Sequence, residues 1–124
     1  MTPTPAAFEV WLDEERQIIR QRLHGTLDLA SFLQLIAASG ACAQRLHRPD
    51  EIRILVEEDG MGRPGLSMRQ VGLEHLRRPG LKRMALVTTS RVARVLFRFV
   101  MVASGGDKAR VFGDEASAIR WLLS

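Results

Sequence analysis

Tyrosine is absent from the 124-residue chain, and aromatic residues make up only 6% of it. Sequence-specific readers of RNA and single strands interleave basic residues with exposed aromatics on a sheet, so this scarcity argues against nucleic acid as a partner. Cysteine is nearly absent too: Cys42 stands alone and cannot form an intrachain disulfide. The opening M-T-P-T-P-A-A has neither the basic nor the apolar region of a secretory signal. The expectation is a reducing, cytoplasmic location, with residues 1–6 flexible. No apolar run reaches the ~20 residues that span a bilayer. The nearest, Leu29 to Gln44, carries Ser31, Gln34, Ser39 and Gly40 and reads instead as a well-buried helix. There is no internal repeat and no low-complexity segment.

What is present is ordinary for a globular domain: 46% hydrophobic and 26% charged residues. Length fits one domain, residues 1–124. The net charge of +4 is unevenly spread. Residues 60–110 hold eleven Lys/Arg against two acids, Glu74 and Asp107, a balance of +9. Residues 1–59 hold six against ten, a balance of −4. A basic half of this kind suits an anionic partner, and equally a solvated arginine-rich surface.

Along the chain, Phe8 to Leu12 alternates apolar and polar residues and predicts a strand, paired across D-E-E-R with Gln17 to Leu23. Thr26 or Asp28 caps a helix over Asp28 to Ala43. Ile52 to Val56 is a third, β-branched strand that ends in Glu57, Glu58 and Asp59, read as a solvated strand end. Ser67 followed by Gln70 has capping-box spacing and predicts a helix from Ser67 to Arg77, weakened at Gly72 by about 1 kcal/mol relative to Ala. Met84 to Val87 is a strand, Thr88, Thr89 and Ser90 offer capping hydroxyls, and a helix follows over Arg91 to Ala103. After Gly105-Gly106-Asp107 come a strand at Ala109 to Phe112 and a helix capped by Gly113-Asp114. The order β-β-α-β-α-β-α-β-α predicts an α/β fold: a mixed sheet of about five strands with four helices, antiparallel at the start and parallel thereafter.

Motifs that carry chemistry are few. Gly60 to Gly65, G-M-G-R-P-G, has the G-x-G-x-x-G form that lets backbone approach a pyrophosphate, which raises an NADP-binding enzyme as an alternative. The adjoining acids would repel phosphate there, and a surface loop is the favoured reading. Those acids could attract Mg²⁺, yet no further ligand is aimed at them. His24, His47 and His75 have no metal-ligand spacing and read as surface or turn residues. No nucleophile-elbow serine or Cys–His pairing is legible. The expectation is therefore a non-enzymatic protein with no cofactor and no metal.

The strongest functional feature is the helix at Arg91. Its only charges, Arg91, Arg94 and Arg98, share one stripe, and the rest of its surface is apolar. Val92, Val95, Leu96, Phe99 and Val102 are expected to face the sheet, with Phe97, Val100 and Met101 extending the apolar surface sideways. The expected site is a cleft between this helix and the one at Ser67, lined by Phe97, Met101 and Met68 with Arg94 and Arg98 as anion contacts. It would take an amphipathic anionic ligand or a membrane surface. The competing reading is that Phe97, Val100 and Met101 pack against the preceding helix and nothing binds. The small residues Ser31, Ala38 and Ala41 suggest a homodimer contact.

The order of elements, the ending A-R-V-F-G-D-E-A-S-A-I-R-W-L-L (Ala109 to Leu123) and the opening hairpin from Phe8 to Leu27 resemble the SpoIIAA-like, or STAS-like, family of small bacterial domains. The resemblance implies a five-stranded sheet with packed helices, a fold shared with anti-sigma-factor antagonists and related to CRAL-TRIO lipid carriers. It also implies, as an alternative function, a protein–protein regulatory module switched by phosphorylation of a serine at a helix start. Only Ser67 could correspond, and its G-L-S-M surround departs from the family's D-S-S-G-like pattern.

Overall fold

The structure, a computed structural model, describes residues 8–25, 27–59, 70, 74–75, 77–103 and 108–124, without the side chains of Asp59, Leu96, Phe99, Val100 and Ala103. The segments read as flexible (1–6), as the glycine-rich loop (Gly60 to Gly65), as the site residues Ser67 and Met68, and as the Gly105–Asp107 turn lie outside the described residues.

Five strands form one sheet in the order in which they occur: β1 (Phe8–Asp13), β2 (Ile18–His24), β3 (Ile52–Asp59), β4 (Leu81–Val87) and β5 (Ala109–Phe112). β1 and β2 are antiparallel, with Phe8 opposite Leu23 and Asp13 opposite Ile18. The other pairings are parallel, with Ile19 beside Ile54, Ile54 beside Met84, and Met84 beside Ala109. Parallel neighbours require crossovers, and these are the sequence-predicted helices α1 (Leu29–Ala43) and α2 (Arg91–Ala103). A last helix, α3 (Glu115–Leu123), follows β5. The fourth expected helix, Ser67 to Arg77, falls largely outside the described residues; within it Gln70, Glu74 and His75 have helical backbone.

Side-chain alternation along the strands divides the core in two. On one face Ile19, Leu23, Ile54, Val56, Met84 and Leu86 meet Leu35, Cys42 and Ala43 of α1 and Met101 of α2. On the other, Ile18, Leu55 and Ala85 meet Ala118 and Leu122 of α3. The caps are local chemistry: the carboxylates of Asp28 and Asp114 accept from the backbone N–H groups of Ser31 (2.7 Å) and Ser117 (2.9 Å). These bonds favour the ionised form, so both carboxyl pKa values lie below the ordinary range. α3 is also held at its C-terminus, where Arg53 donates to the Leu122 carbonyl at 2.9 Å and Arg83 donates to that of Trp121. Two cations against the negative end of a helix dipole are the favourable arrangement.

Three expectations change. First, β3 continues through Glu57 and Glu58 to Asp59, because Arg22, Leu23 and His24 of β2 pair with them. Glu57 and Glu58 therefore point to opposite faces rather than forming a solvated cluster. Second, α1 is not well buried. Leu35, Ser39, Cys42 and Ala43 face the core, while Leu29, Ala30, Leu33, Gln34, Ala37 and Ala41 are exposed. A helix over one face of a sheet can bury only one side, however apolar its sequence. Third, α2 is turned from the expected orientation. Ala93 and Met101 are buried and Phe97 packs on the core, whereas Val92, Val95 and Val102 face solvent.

Candidate functional site

The start of α2 is fixed by the residues that leave β4. Thr88, buried, donates its hydroxyl to the Glu58 carboxylate and accepts from the Ser90 N–H at 3.0 Å. The Ser90 hydroxyl then accepts from the Ala93 N–H at 3.2 Å, and its carbonyl from the Arg94 N–H at 3.1 Å. The capping role expected of the Thr-Thr-Ser run is thus carried by Thr88 and Ser90. Glu58 contributes by holding Thr88, a role that sequence alone did not signal.

With its start pinned, α2 presents a defined outer face. Val92 is 54% exposed, Val95 66% and Val102 78%, an unusual stretch of open apolar surface on one helix. At about 100° per residue these three fall within roughly 80° of one another, and Arg91 and Arg98 border them on one side. Arg91 and Arg98 are exposed, and neither makes an ion pair among the described residues. α2 has no acid in its first turn, so the positive end of its dipole adds to theirs.

The structure separates the residues that sequence reasoning had grouped. Arg98 lies on the open face. Arg94 is half-buried, its Nη2 3.7 Å from where a Cβ on Gly113 would sit, and its Nε is enclosed without a hydrogen-bond partner among the described residues. Phe97 and Met101 belong to the core rather than to a free cleft wall. Met68 and Ser67 are outside the described residues, so no cleft between their helix and α2 is described.

A second polar region lies on the sheet face that α3 leaves open. The guanidinium of Arg20 bridges Glu57 and Glu115, the latter at 2.7 Å, and Arg22 reaches Glu57 at 3.5 Å and Glu9 at 3.7 Å. Both guanidinium carbons lie over the Trp11 ring, 5.4 and 5.5 Å from its centroid. Burial works against the charge on Arg20, but its bonds and charges shared with Glu57 and Glu115 outweigh it and raise the guanidinium pKa. This network pairs its own charges and reads as a clasp tying α3 to β2 and β3. Its members are far apart in sequence, which is why spacing could not reveal it.

His24 and His47 are exposed as expected, whereas His75 is half-buried, with its Nε2 enclosed. It borders a cavity of about 10 Å³ lined by Ile19, Ser39, Ala43, Ile52, Ile54, Arg78 and Leu81. That volume admits about one water, too little for a ligand. Burial first, and then the charge of Arg78, lowers the His75 pKa. Among the described residues no group of three His, Cys, Asp or Glu side chains could hold a metal ion, and no helix is long and apolar enough to cross a membrane.

Comparison with known proteins fits this architecture. No curated protein matches the sequence. Among solved structures, the chain is similar to an uncharacterized protein of the DUF3478 family with a SpoIIAA-like fold from Shewanella loihica PV-4. The two share 16% identity over 98% of each chain, with a TM-score of 0.69, a likeness of fold. The family model described as SpoIIAA-like matches residues 18–123, from the first residue of β2 to the last of α3. The five-stranded mixed sheet with its helices on two faces and this match across it have one reading: the chain belongs to the SpoIIAA-like family.

Proposed function

We propose that the protein is a non-enzymatic binding module that docks the outer face of α2 on an anionic lipid surface. The observation that carries this reading is the exposure of Val92, Val95 and Val102 beside the guanidinium groups of Arg91 and Arg98, which make no ion pair among the described residues. Apolar side chains enter the acyl boundary while arginines reach anionic headgroups, the usual division of labour on a helix lying at an interface. Because α2 packs on β5, with Phe97 and Met101 in the core cluster that holds Ala109, it meets the surface already folded, and no ordering of the helix opposes binding. A binding or regulatory role is compatible with the family. The serine-switch alternative at Ser67 and the nucleotide-enzyme alternative at Gly60 to Gly65 have no described geometry to support them.

Co-sedimentation with phosphatidylglycerol vesicles tests the reading. The wild-type chain pellets with them and not with phosphatidylcholine vesicles. Val95→Asp/Val102→Asp stays in the supernatant, and Arg91→Glu/Arg98→Glu binds weakly even at low salt. Equal pelleting of all three proteins, or no pelleting of wild type, refutes it.

A further inference from the structure

We infer that β1 is the seam between two copies of this chain, whose first strands pair antiparallel across a two-fold axis at Val10 and join the two sheets into one. The strand order leaves two edges, β1 and β5. An edge presents backbone N–H and C=O groups that another strand can pair, and folded proteins ordinarily guard it by shortness, by cations, by proline or by a bulge. β5 is guarded in this way: it has four residues, and Arg110 within it and Lys108 before it are exposed. β1 is not. It runs for six residues, F-E-V-W-L-D, without lysine, arginine, proline or glycine, and its register with β2 is unbroken from Phe8 to Asp13. Among the described residues it pairs with β2 alone.

The side chains of β1 identify the occupant. Phe8, Val10 and Leu12 are half-buried on the α1 face of the sheet, where they pack against the larger core. Glu9 and Trp11 alternate with them on the other face, beside Arg22 and Arg20. Residues directly opposite each other in an antiparallel pair share a face. With the axis at Val10, Phe8 faces Leu12 of the partner subunit and Val10 faces Val10 of the partner subunit, so apolar meets apolar beneath α1. On the other face Glu9 meets Trp11 of the partner subunit, the ring over which two guanidinium carbons lie at 5.4 and 5.5 Å. A carboxylate thus approaches a cation-bearing aromatic, and its own Arg22 stays at 3.7 Å. Neighbouring registers lose this match. An axis at Glu9 sets that acid against Glu9 of the partner subunit, and an axis at Trp11 sets it against Asp13 of the partner subunit. A slip of one residue puts apolar side chains on the charged face. The strand is therefore complementary to itself in one register, which is the property a two-fold contact requires. Asp13 lies past the paired residues and is held by Arg16 at 3.1 Å. α1, which packs on β1 and β2, has no charged residue to repel its copy across the axis.

One short strand per subunit is a small contact, so the dimer is expected to be concentration-dependent. Sedimentation equilibrium on the whole chain tests it. Wild type shifts from the 13.9 kDa single-chain mass to twice that value as concentration rises. Trp11→Glu sets acid against Glu9 of the partner subunit at both ends of the seam, and Glu9→Lys sets a cation against the guanidinium groups over Trp11 of the partner subunit. Each keeps the wild-type circular dichroism and stays at single-chain mass at concentrations where wild type is dimeric. Their equimolar mixture dimerises, because the lysine at position 9 of one chain then faces the glutamate at position 11 of the other. Amide hydrogen exchange in β1 slows as wild-type concentration rises, a signature that a contact elsewhere on the molecule would not give. Val95→Asp/Val102→Asp dimerises like wild type, which separates this seam from the α2 surface. A wild-type chain that stays at single-chain mass overturns the inference. So does a folded Trp11→Glu chain that dimerises normally, a mixture that does not dimerise, or β1 exchange that is the same at both concentrations.

Discussion

Gln21 is a polar side chain almost wholly removed from water, in the middle of the larger core. Its amide donates to the Ser39 hydroxyl at 2.7 Å, which donates in turn to the Leu35 carbonyl at 2.8 Å. Ser39→Ala strands the amide donor, with an expected loss of about 1–3 kcal/mol on urea unfolding. His75 gives a pH dependence whose sign follows from burial. Its folded pKa lies below the unfolded 6.5, so the unfolded chain binds the extra proton first as pH falls. The contribution of His75 is complete above pH 6.5 and is lost as acid carries the pH down toward the folded value. Thermal unfolding between pH 7 and 5 should show this decline, and His75→Gln should flatten it. Neither residue was legible beforehand. A mid-strand glutamine looks like a surface position until its neighbours are known, and a histidine beside Arg77 and Arg78 has the sequence surroundings of an exposed turn.

At the scale of elements, α2 shows how a correct boundary can accompany a wrong orientation. Arg91–Ala103 is legible to the residue from the capping hydroxyls and the apolar spacing. Which side is buried was not, because apolar residues occupy nearly the whole circumference and the three arginines exclude only a narrow arc. Packing settles it: Ala93 is buried, and Phe97 and Met101 reach the cluster that holds Met84 and Ala109. The two sides should answer differently to substitution. Met101→Ala opens a gap in that cluster and is expected to lower stability by about 2–5 kcal/mol. Val95→Asp changes only solvent-facing surface and should leave the unfolding midpoint nearly unmoved. α1 repeats the lesson, since its lack of charge suggested full burial although only Leu35, Ser39, Cys42 and Ala43 turn inward.

For the whole molecule, the sheet was the most legible feature, because period-two alternation in β1 and a β-branched run in β3 encode strand and burial together. The excess of positive charge was visible as well, but its use was not. Arg53 and Arg83 hold the C-terminus of α3, and Arg83 and Arg110 lie over the Trp121 ring, 5.0 and 5.5 Å from its centroid. Within the basic half Arg83 and Arg110 are thus engaged in internal contacts, whereas Arg91 and Arg98 of α2 lie beside open apolar surface. The proposed function therefore requires that face to meet an anionic surface. An environment-sensitive fluorophore attached at Val102→Cys measures this directly, the native Cys42 being buried. Emission should shift to the blue on addition of phosphatidylglycerol vesicles and return on addition of salt, while the same label at Leu33→Cys does not respond. A label at position 102 that stays at its aqueous wavelength under those conditions contradicts the account.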